Sequence, residues 1–132
     1  MAVHRFHNPP TIHAPIGYTH VVEATGPGRT IYVSGQVGIT PDGKIPDDFR
    51  TQAVQSVENL KNALTAVGAG LEHVVKITAY FVDISDLAVF REIRNITFDI
   101  KTPPAATAVQ IGKLARDGLL FEIEAIAVVP EK

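Results

Sequence analysis

The chain has 132 residues, of which 45% are apolar, and a formal net charge of −2 from 14 acidic and 12 basic side chains. That length suits one domain with one core, and without a basic tract or aromatic-basic stripe nothing recommends nucleic acid as a partner. No cysteine is present, which excludes disulfide and thiolate chemistry; no apolar run reaches the roughly 18 residues of a membrane span, and the start MAVHRFHNPP lacks the apolar stretch of a secretory signal, so a cytoplasmic protein with no membrane partner is expected.

Residues 1–16, rich in Pro and His and without a period, read as an irregular arm. Thr19–Thr25 and Thr30–Gly35 are short β-rich runs on either side of Gly26-Pro27-Gly28-Arg29, a turn signal that predicts a hairpin between them. Thr40-Pro41-Asp42-Gly43-Lys44 reads as a further turn. Over residues 47–67, Phe49, Ala53, Val57, Leu60, Leu64 and Val67 recur at spacings of three or four. They predict an amphipathic helix, begun at Asp47 and Asp48 and stopped at Gly68. His73–Asp83 reads as a strand with Val75, Ile77, Ala79 and Phe81 on one face. Ser85 is the expected N-cap of a second helix over 86–100. Its inner stripe is Leu87, Phe90, Ile93, Arg94 and Phe98, with Arg94 the poorest fit. Thr102-Pro103-Pro104 ends it, because the residue before a proline is pushed out of helical space.

The remaining stretch predicts a loop, a short strand, a turn and a long strand over Leu119–Val129. One face of that strand carries Leu119, Phe121, Ile123, Ala125, Ala127 and Val129; the other carries Leu120, Glu122, Glu124, Ile126 and Val128. Both faces are largely apolar, so the strand needs two covers, and its carboxylates need a partner or a purpose. The order strand, strand, helix, strand, helix, strand, strand predicts an α+β fold, a mixed sheet with both helices on one face. Each helix has a single apolar stripe, which leaves the other sheet face bare. An apolar face of that kind marks an interface, so a homo-oligomer is expected.

Several segments, in order, resemble the RidA (reactive intermediate deaminase, or YjgF) family: Ile16-Gly17-Tyr18-Thr19-His20, Ile31-Tyr32-Val33-Ser34-Gly35-Gln36, Gln52-Ala53 through Asn59-Leu60-Lys61, His73-Val74-Val75-Lys76-Ile77-Thr78, Pro103-Pro104-Ala105 and Phe121-Glu122-Ile123-Glu124-Ala125-Ile126-Ala127. The resemblance implies a single domain over 1–132 with a chorismate-mutase-like fold, assembled as a homotrimer around a barrel-like core of packed sheets. It also implies three inter-subunit clefts that hydrolyse a small imine or enamine acid, such as 2-iminopropanoate, to a keto acid and ammonia, with no metal and no organic cofactor. In that family an arginine holds the substrate carboxylate through a bidentate pair. By the same resemblance Tyr18 and Glu122 sit by the reacting water, and Ser34 and Gly35 line the cleft. The family's Pro-Ala-Arg-Ser/Thr reads here Pro104-Ala105-Ala106-Thr107, with Ala106 where the arginine is expected. The tyrosine segment lacks the family's proline and carries His20 in place of a glutamine.

A carboxylate desolvated without its cation costs several kcal/mol, on the order of a hundredfold in affinity. A substrate without that carboxylate is therefore the simpler expectation. Arg29, Arg94, Lys113 and Arg116 are the cations that stand to replace the arginine, and nothing in the sequence places any of them in the cleft.

Glu122 reads either as a general base that orients water or as one half of an interface salt bridge, with Lys76 the natural partner. Glu124 reads as a structural hydrogen-bond partner. His20, as an imidazole able to give or take a proton, reads either as an acid–base group beside Glu122 or as a solvent-facing strand residue. Tyr18 reads as a hydrogen-bond donor to the ligand, and the backbone N–H groups near Ala106 and Thr107 as holders of its polar end. His4, His7, His13 and His20 match no metal-ligand spacing. Two functions compete: a cofactor-free imine or enamine hydrolase, and a non-catalytic small-molecule-binding or stabilising module using the same cleft. A ribonuclease is disfavoured by the net charge.

Overall fold

The structure, a computed structural model, describes residues 3–131. In chain order its elements are β1 (Val3–His7), β2 (Val21–Thr25), β3 (Gly28–Val37), α1 (Phe49–Thr65), β4 (Val74–Phe81), α2 (Leu87–Thr97), β5 (Ala105–Gln110) and β6 (Phe121–Pro130). A four-stranded sheet runs β3-β6-β4-β5, and β1 and β2 form a separate two-stranded ribbon. The β4–β5 pair is parallel and the other two pairs are antiparallel, so the sheet is mixed. This is the expected α+β arrangement of a sheet with two helices.

The long C-terminal strand β6 lies between β3 and β4. Phe121, Ile123, Ala125, Ala127 and Val129 are buried, while the alternate residues from Glu122 to Val128 are half-buried. The buried face meets both helices at one aromatic cluster. Phe49 of α1 and Phe90 of α2 each pack on Phe81 of β4 and Phe121 of β6, with ring centroids 5.1 to 5.8 Å apart. Such pairs add about 0.5–1.5 kcal/mol each beyond the area they bury. No helix is long and apolar enough to cross a membrane among the described residues.

Helix α1 starts as its sequence suggests: the Asp48 carboxylate accepts from the Thr51 N–H at 2.9 Å. Its buried side is rotated from the apolar stripe, however. Gln52 and Ser56 are buried with Phe49, Ala53, Leu60 and Leu64, whereas Val67 lies beyond the helix and is exposed. Gln52 tolerates full burial because its amide is satisfied. Its Nε2 donates to the carbonyls of Pro46 and Gly118, both at 2.8 Å, and its Oε1 accepts from the Leu120 N–H at 2.8 Å. It thereby holds the loops entering α1 and β6.

Four expectations are corrected. The hairpin between 19–25 and 30–35 does not form: β2 pairs with β1, from His7 against Val21 to Val3 against Thr25, and β3 pairs with β6. Gly26, at φ +84°, turns the chain from one sheet to the other. β2 takes its ladder from β1 in the N-terminal segment, and β3 is left as an edge strand that pairs with β6 alone. The irregular arm over 1–16 contains β1, whose mixed Val-His-Arg-Phe-His alternation hides the strand; His4 Nε2 bonds the Val128 carbonyl at 3.0 Å and ties the ribbon to the sheet. Ser85 is not an N-cap. Asp83 accepts from its N–H at 2.9 Å and from its hydroxyl at 2.7 Å, capping a 3-10 turn that leads into α2. That helix stops at Thr97, short of residue 100, where Phe98 turns extended but stays buried in the core.

Candidate functional site

The chain ahead of β2 is fastened to the residues ahead of β5. Thr19 is buried; its N–H donates to the Pro104 carbonyl at 3.2 Å and its hydroxyl to the Pro103 carbonyl. Ile16 and Tyr18 thereby roof a cavity of about 140 Å³, whose walls come from β4 (Ile77, Ala79), α2 (Leu87, Phe90, Arg91, Arg94) and β5 (Ala106 to Ala108). Ala106 stands opposite Ile77 in the parallel β4–β5 ladder and packs against the core on the helix-covered side of the sheet.

Arg94 is 8% exposed. Its Nη2 reaches Asn95 Oδ1 only at 3.4 Å, and its Nε has no partner among the described residues. Burial first, and then the neighbouring charge of Arg91, lower its pKa. Gly17 lies directly against the guanidinium. A Cβ on Gly17 would overlap the Arg94 side chain, and its φ of +78° already favours glycine. In the sequence Arg94 stands out only as a misfit in the helix stripe and as one of four possible cations; an arginine at a core-facing position is the available signal.

The histidines of the N-terminal segment join Tyr18. His13 Nε2 lies 3.0 Å from the Tyr18 hydroxyl, and His20 Nε2 lies 2.8 Å from the His13 carbonyl. The His20 ring packs edge-on against both His13 and Tyr18, at centroid distances of 5.0 and 5.4 Å. The His20 backbone N–H donates to Asn8 Oδ1 at 2.8 Å. Among the described residues no group of three or more His, Cys, Asp or Glu converges to hold a metal ion.

Glu122 lies elsewhere, on the sheet face that the helices leave open. There β3 carries a register shift between Val33 and Gln36, so Ser34 and Gly35 fall outside the regular pairing with β6. Irregularities of this kind commonly re-aim side chains beside functional sites. A Cβ on Gly35 would overlap the Glu122 carboxylate. Ser34 is exposed, and its carbonyl accepts from Gln36 Nε2 at 3.1 Å. The Glu124 carboxylate accepts from the Tyr80 hydroxyl. That hydrogen bond, then burial and the charges of Glu124 and Glu122, raise the tyrosine's pKa.

Within one chain, Glu122 and Lys76 form no ion pair among the described residues. Lys76 Nζ instead donates to Thr107 Oγ1 at 2.8 Å and to its neighbour's carbonyl, that of Ile77, at 3.1 Å. Burial lowers its pKa, opposed by the charge of Glu124. Glu122 makes no ion pair and no side-chain hydrogen bond among the described residues. Within one chain, then, the structure brings Tyr18 and Ala106 to the cavity, with His20 packed on Tyr18 outside the cavity lining, and Ser34, Gly35 and Glu122 to the open face. It does not place His20 beside Glu122. Thr107 links the two regions, lining the cavity while its hydroxyl holds Lys76. A larger cavity of about 370 Å³, beside Phe6 and Phe98, carries the carboxylates of Glu72 and Asp99 and no cation.

The profile of the Endoribonuclease L-PSP family matches residues 11–129. The 2-iminobutanoate/2-iminopropanoate deaminase of Mus musculus is 38% identical over 120 residues, spanning 89% of this chain and 87% of its own. Among solved structures, a Rid-family protein of unknown function from Yersinia pestis, YyfB, superposes with a TM-score of 0.87 at 32% identity, covering 96% of this chain and 98% of that one. Escherichia coli TdcF with bound serine superposes with a TM-score of 0.71 at 34% identity, covering 80% of this chain and 91% of that one.

Proposed function

The chain belongs to the RidA/YjgF family of the Endoribonuclease L-PSP profile, and on that premise we propose that it is a cofactor-free hydrolase of a small imine or enamine, working in a cleft completed by a second copy of the chain. An enamine first tautomerises to its imine, its N–H proton passing to the β-carbon; water then adds to the carbon of the C=N bond, and the resulting carbinolamine expels ammonia to leave a carbonyl. Imine and water are consumed; ketone or aldehyde and ammonia are produced. Glu122 takes the proton from the attacking water and returns it to the departing nitrogen.

One observation carries this reading. The Glu122 carboxylate is half-buried, seated against a glycine at an irregularity in the sheet, and has no cation or donor of its own among the described residues. A structural carboxylate in the same strand, Glu124, has its donor in Tyr80. Glu122 is thus the carboxylate left free to accept from water. Ser34 and Gly35 form the wall beside it, and Tyr18, Thr107 and the backbone at Ala106 hold the ligand from the cavity side. Ala106 stands where the family resemblance expects arginine.

The two sides meet if the open sheet faces of three copies pack together. Tyr32, 78% exposed in the single chain, with Ile126 and Val128, supplies an apolar face of the kind such packing covers. The trimer and a cytoplasmic setting belong to this proposal.

The test is ammonia release from freshly generated imines and enamines. Glu122→Ala is expected to lower kcat/KM by about a hundredfold or more. His20→Ala is expected to lower it by about tenfold, through the Tyr18–His13–His20 packing. If no compound in a broad panel turns over above the buffer rate, the hydrolase reading fails and a non-catalytic small-molecule binder takes its place. RNA cleavage is expected to vanish on repurification, because a chain of net charge −2 offers a polyanion little attraction.

A further inference from the structure

We propose that Arg94, reaching in from α2, is the anion-binding residue of the cavity beneath Tyr18, and that the compound bound there carries a carboxylate. This deepens the preceding reading and rests on it for the reaction, though not for the binding. It reverses the expectation, drawn from Ala106, of a substrate without a carboxylate.

Arg94 is nine-tenths buried, with an unpartnered, buried Nε and one long hydrogen bond to Asn95 at 3.4 Å. No carboxylate of the described residues pairs with it. Removing such a charge from water costs several kcal/mol unless a counter-ion meets it. A fold that needed only volume at this position would be better served by methionine or leucine.

The guanidinium borders the cavity, and the second cation there, Arg91, lies three residues earlier on the same helix. Two arginines and no acid line this space. The remaining walls, Ile77, Phe90 and Ala106 among them, are apolar. At about 140 Å³ the space equals that of some five liquid waters, room for roughly half a dozen heavy atoms. That combination fits a short-chain carboxylic acid: a planar two-oxygen head for the guanidinium fork and a small apolar tail. It fits inorganic phosphate less well, because a phosphate would face mostly apolar wall.

The surrounding residues are consistent with a site kept open for the arginine. Gly17 lets the N-terminal segment close over the guanidinium where any Cβ would collide with it. Ala106, on the β5 wall, is too short to fill the space from the sheet side.

The experiment titrates the full chain with 2-oxobutanoate, its methyl ester and inorganic phosphate, followed by calorimetry, in the parent, Arg94→Met and Arg94→Lys. The parent is expected to bind the acid and to bind the ester at least about thirtyfold more weakly. Arg94→Met is expected to lose at least about thirtyfold in affinity for the acid while its Tm holds or rises, since an apolar side chain of similar volume replaces an unpaired charge. A purely structural arginine would instead lower Tm. Arg94→Lys keeps the charge without the fork and is expected to fall between, which also covers the case of a misfolded Met variant. Equal acid affinity in the parent and either variant overturns the proposal, as does a parent that binds acid and ester alike or prefers phosphate. Acid binding that depends on Arg94 with no imine turnover sinks the hydrolase reading and leaves this one standing. Turnover of imino acids by Arg94→Met at the parent's KM does the reverse.

Discussion

Two glycines a few residues apart, Gly35 and Gly38, separate what this chain spends on its site from what it spends on its fold. The nearest atoms a Cβ on Gly35 would meet belong to the flexible Glu122 side chain. The carboxylate can swing away, so Gly35→Ala is expected to fold normally and to misplace the general base. A misplacement near 1 Å costs about a hundredfold, read in kcat/KM. A Cβ on Gly38 would instead strike the backbone of Gln52 in α1. Helix backbone cannot yield so cheaply, so Gly38→Ala is expected to lose about 1–3 kcal/mol in a denaturant titration. Activity lost in both, or stability lost in both, would contradict this division. At this scale the sequence is unevenly legible. Tyr18, Glu122, Ser34 and Gly35 are candidates that the family resemblance names from short segments of the sequence. Arg94 is visible only as an arginine among Leu87, Phe90 and Ile93, because periodicity registers a buried charge as an error in the stripe. Gln52 is less visible still: its burial depends on carbonyls at Pro46 and Gly118, and the second of these is distant in sequence.

At the scale of elements, local signals set the ends and distant ones set the partners. Asp48 in front of Phe49 is a local signal, and α1 begins there. The Thr51 N–H and then its hydroxyl hold the Asp48 carboxyl below its ordinary value of 3.8. A carboxyl whose pKa is depressed on folding contributes stability that is present above the unfolded value and lost as the pH falls through the folded one. Asp48→Ala is therefore expected to lower Tm at neutral pH. The gap from the parent should narrow as the pH falls below 3.8, measured by thermal melts across that range. A gap that stayed constant into acid would mean the cap acts without its charge. Strand pairing is the opposite case. The turn at Gly26-Pro27-Gly28 is plain in the sequence and does turn the chain, but it joins two sheets. A hairpin between its flanks looks sufficient only because nothing local states that β6, about a hundred residues on, requires β3.

At the scale of the molecule, the two halves of the candidate site face different ways. Tyr18 roofs a cavity on the helix-covered side near the β5 edge, and Glu122 projects from the open face of β6. The apolar alternation of β6 makes that open face legible in the amino-acid sequence, since helices with one stripe each cannot cover two faces. What alternation cannot say is which copy brings which group. If three sheets pack at their open faces, a cleft takes Tyr18 from one chain and Glu122 from another. Each single substitution, Tyr18→Phe or Glu122→Ala, then disables every cleft in a uniform trimer. A mixed trimer contains some clefts that pair the intact tyrosine of one variant with the intact glutamate of the other. Unfolded together in equal amounts and refolded, the two inactive variants should recover about one quarter of parental ammonia release, the fraction expected from random assortment at a two-chain site. Light scattering should give an assembly of about three times the chain mass of 14.2 kDa. Mixed trimers verified by differential tagging that stay inactive would require both groups to come from one chain. The neighbouring copy would then cover the open sheet face without supplying either group to the chemistry.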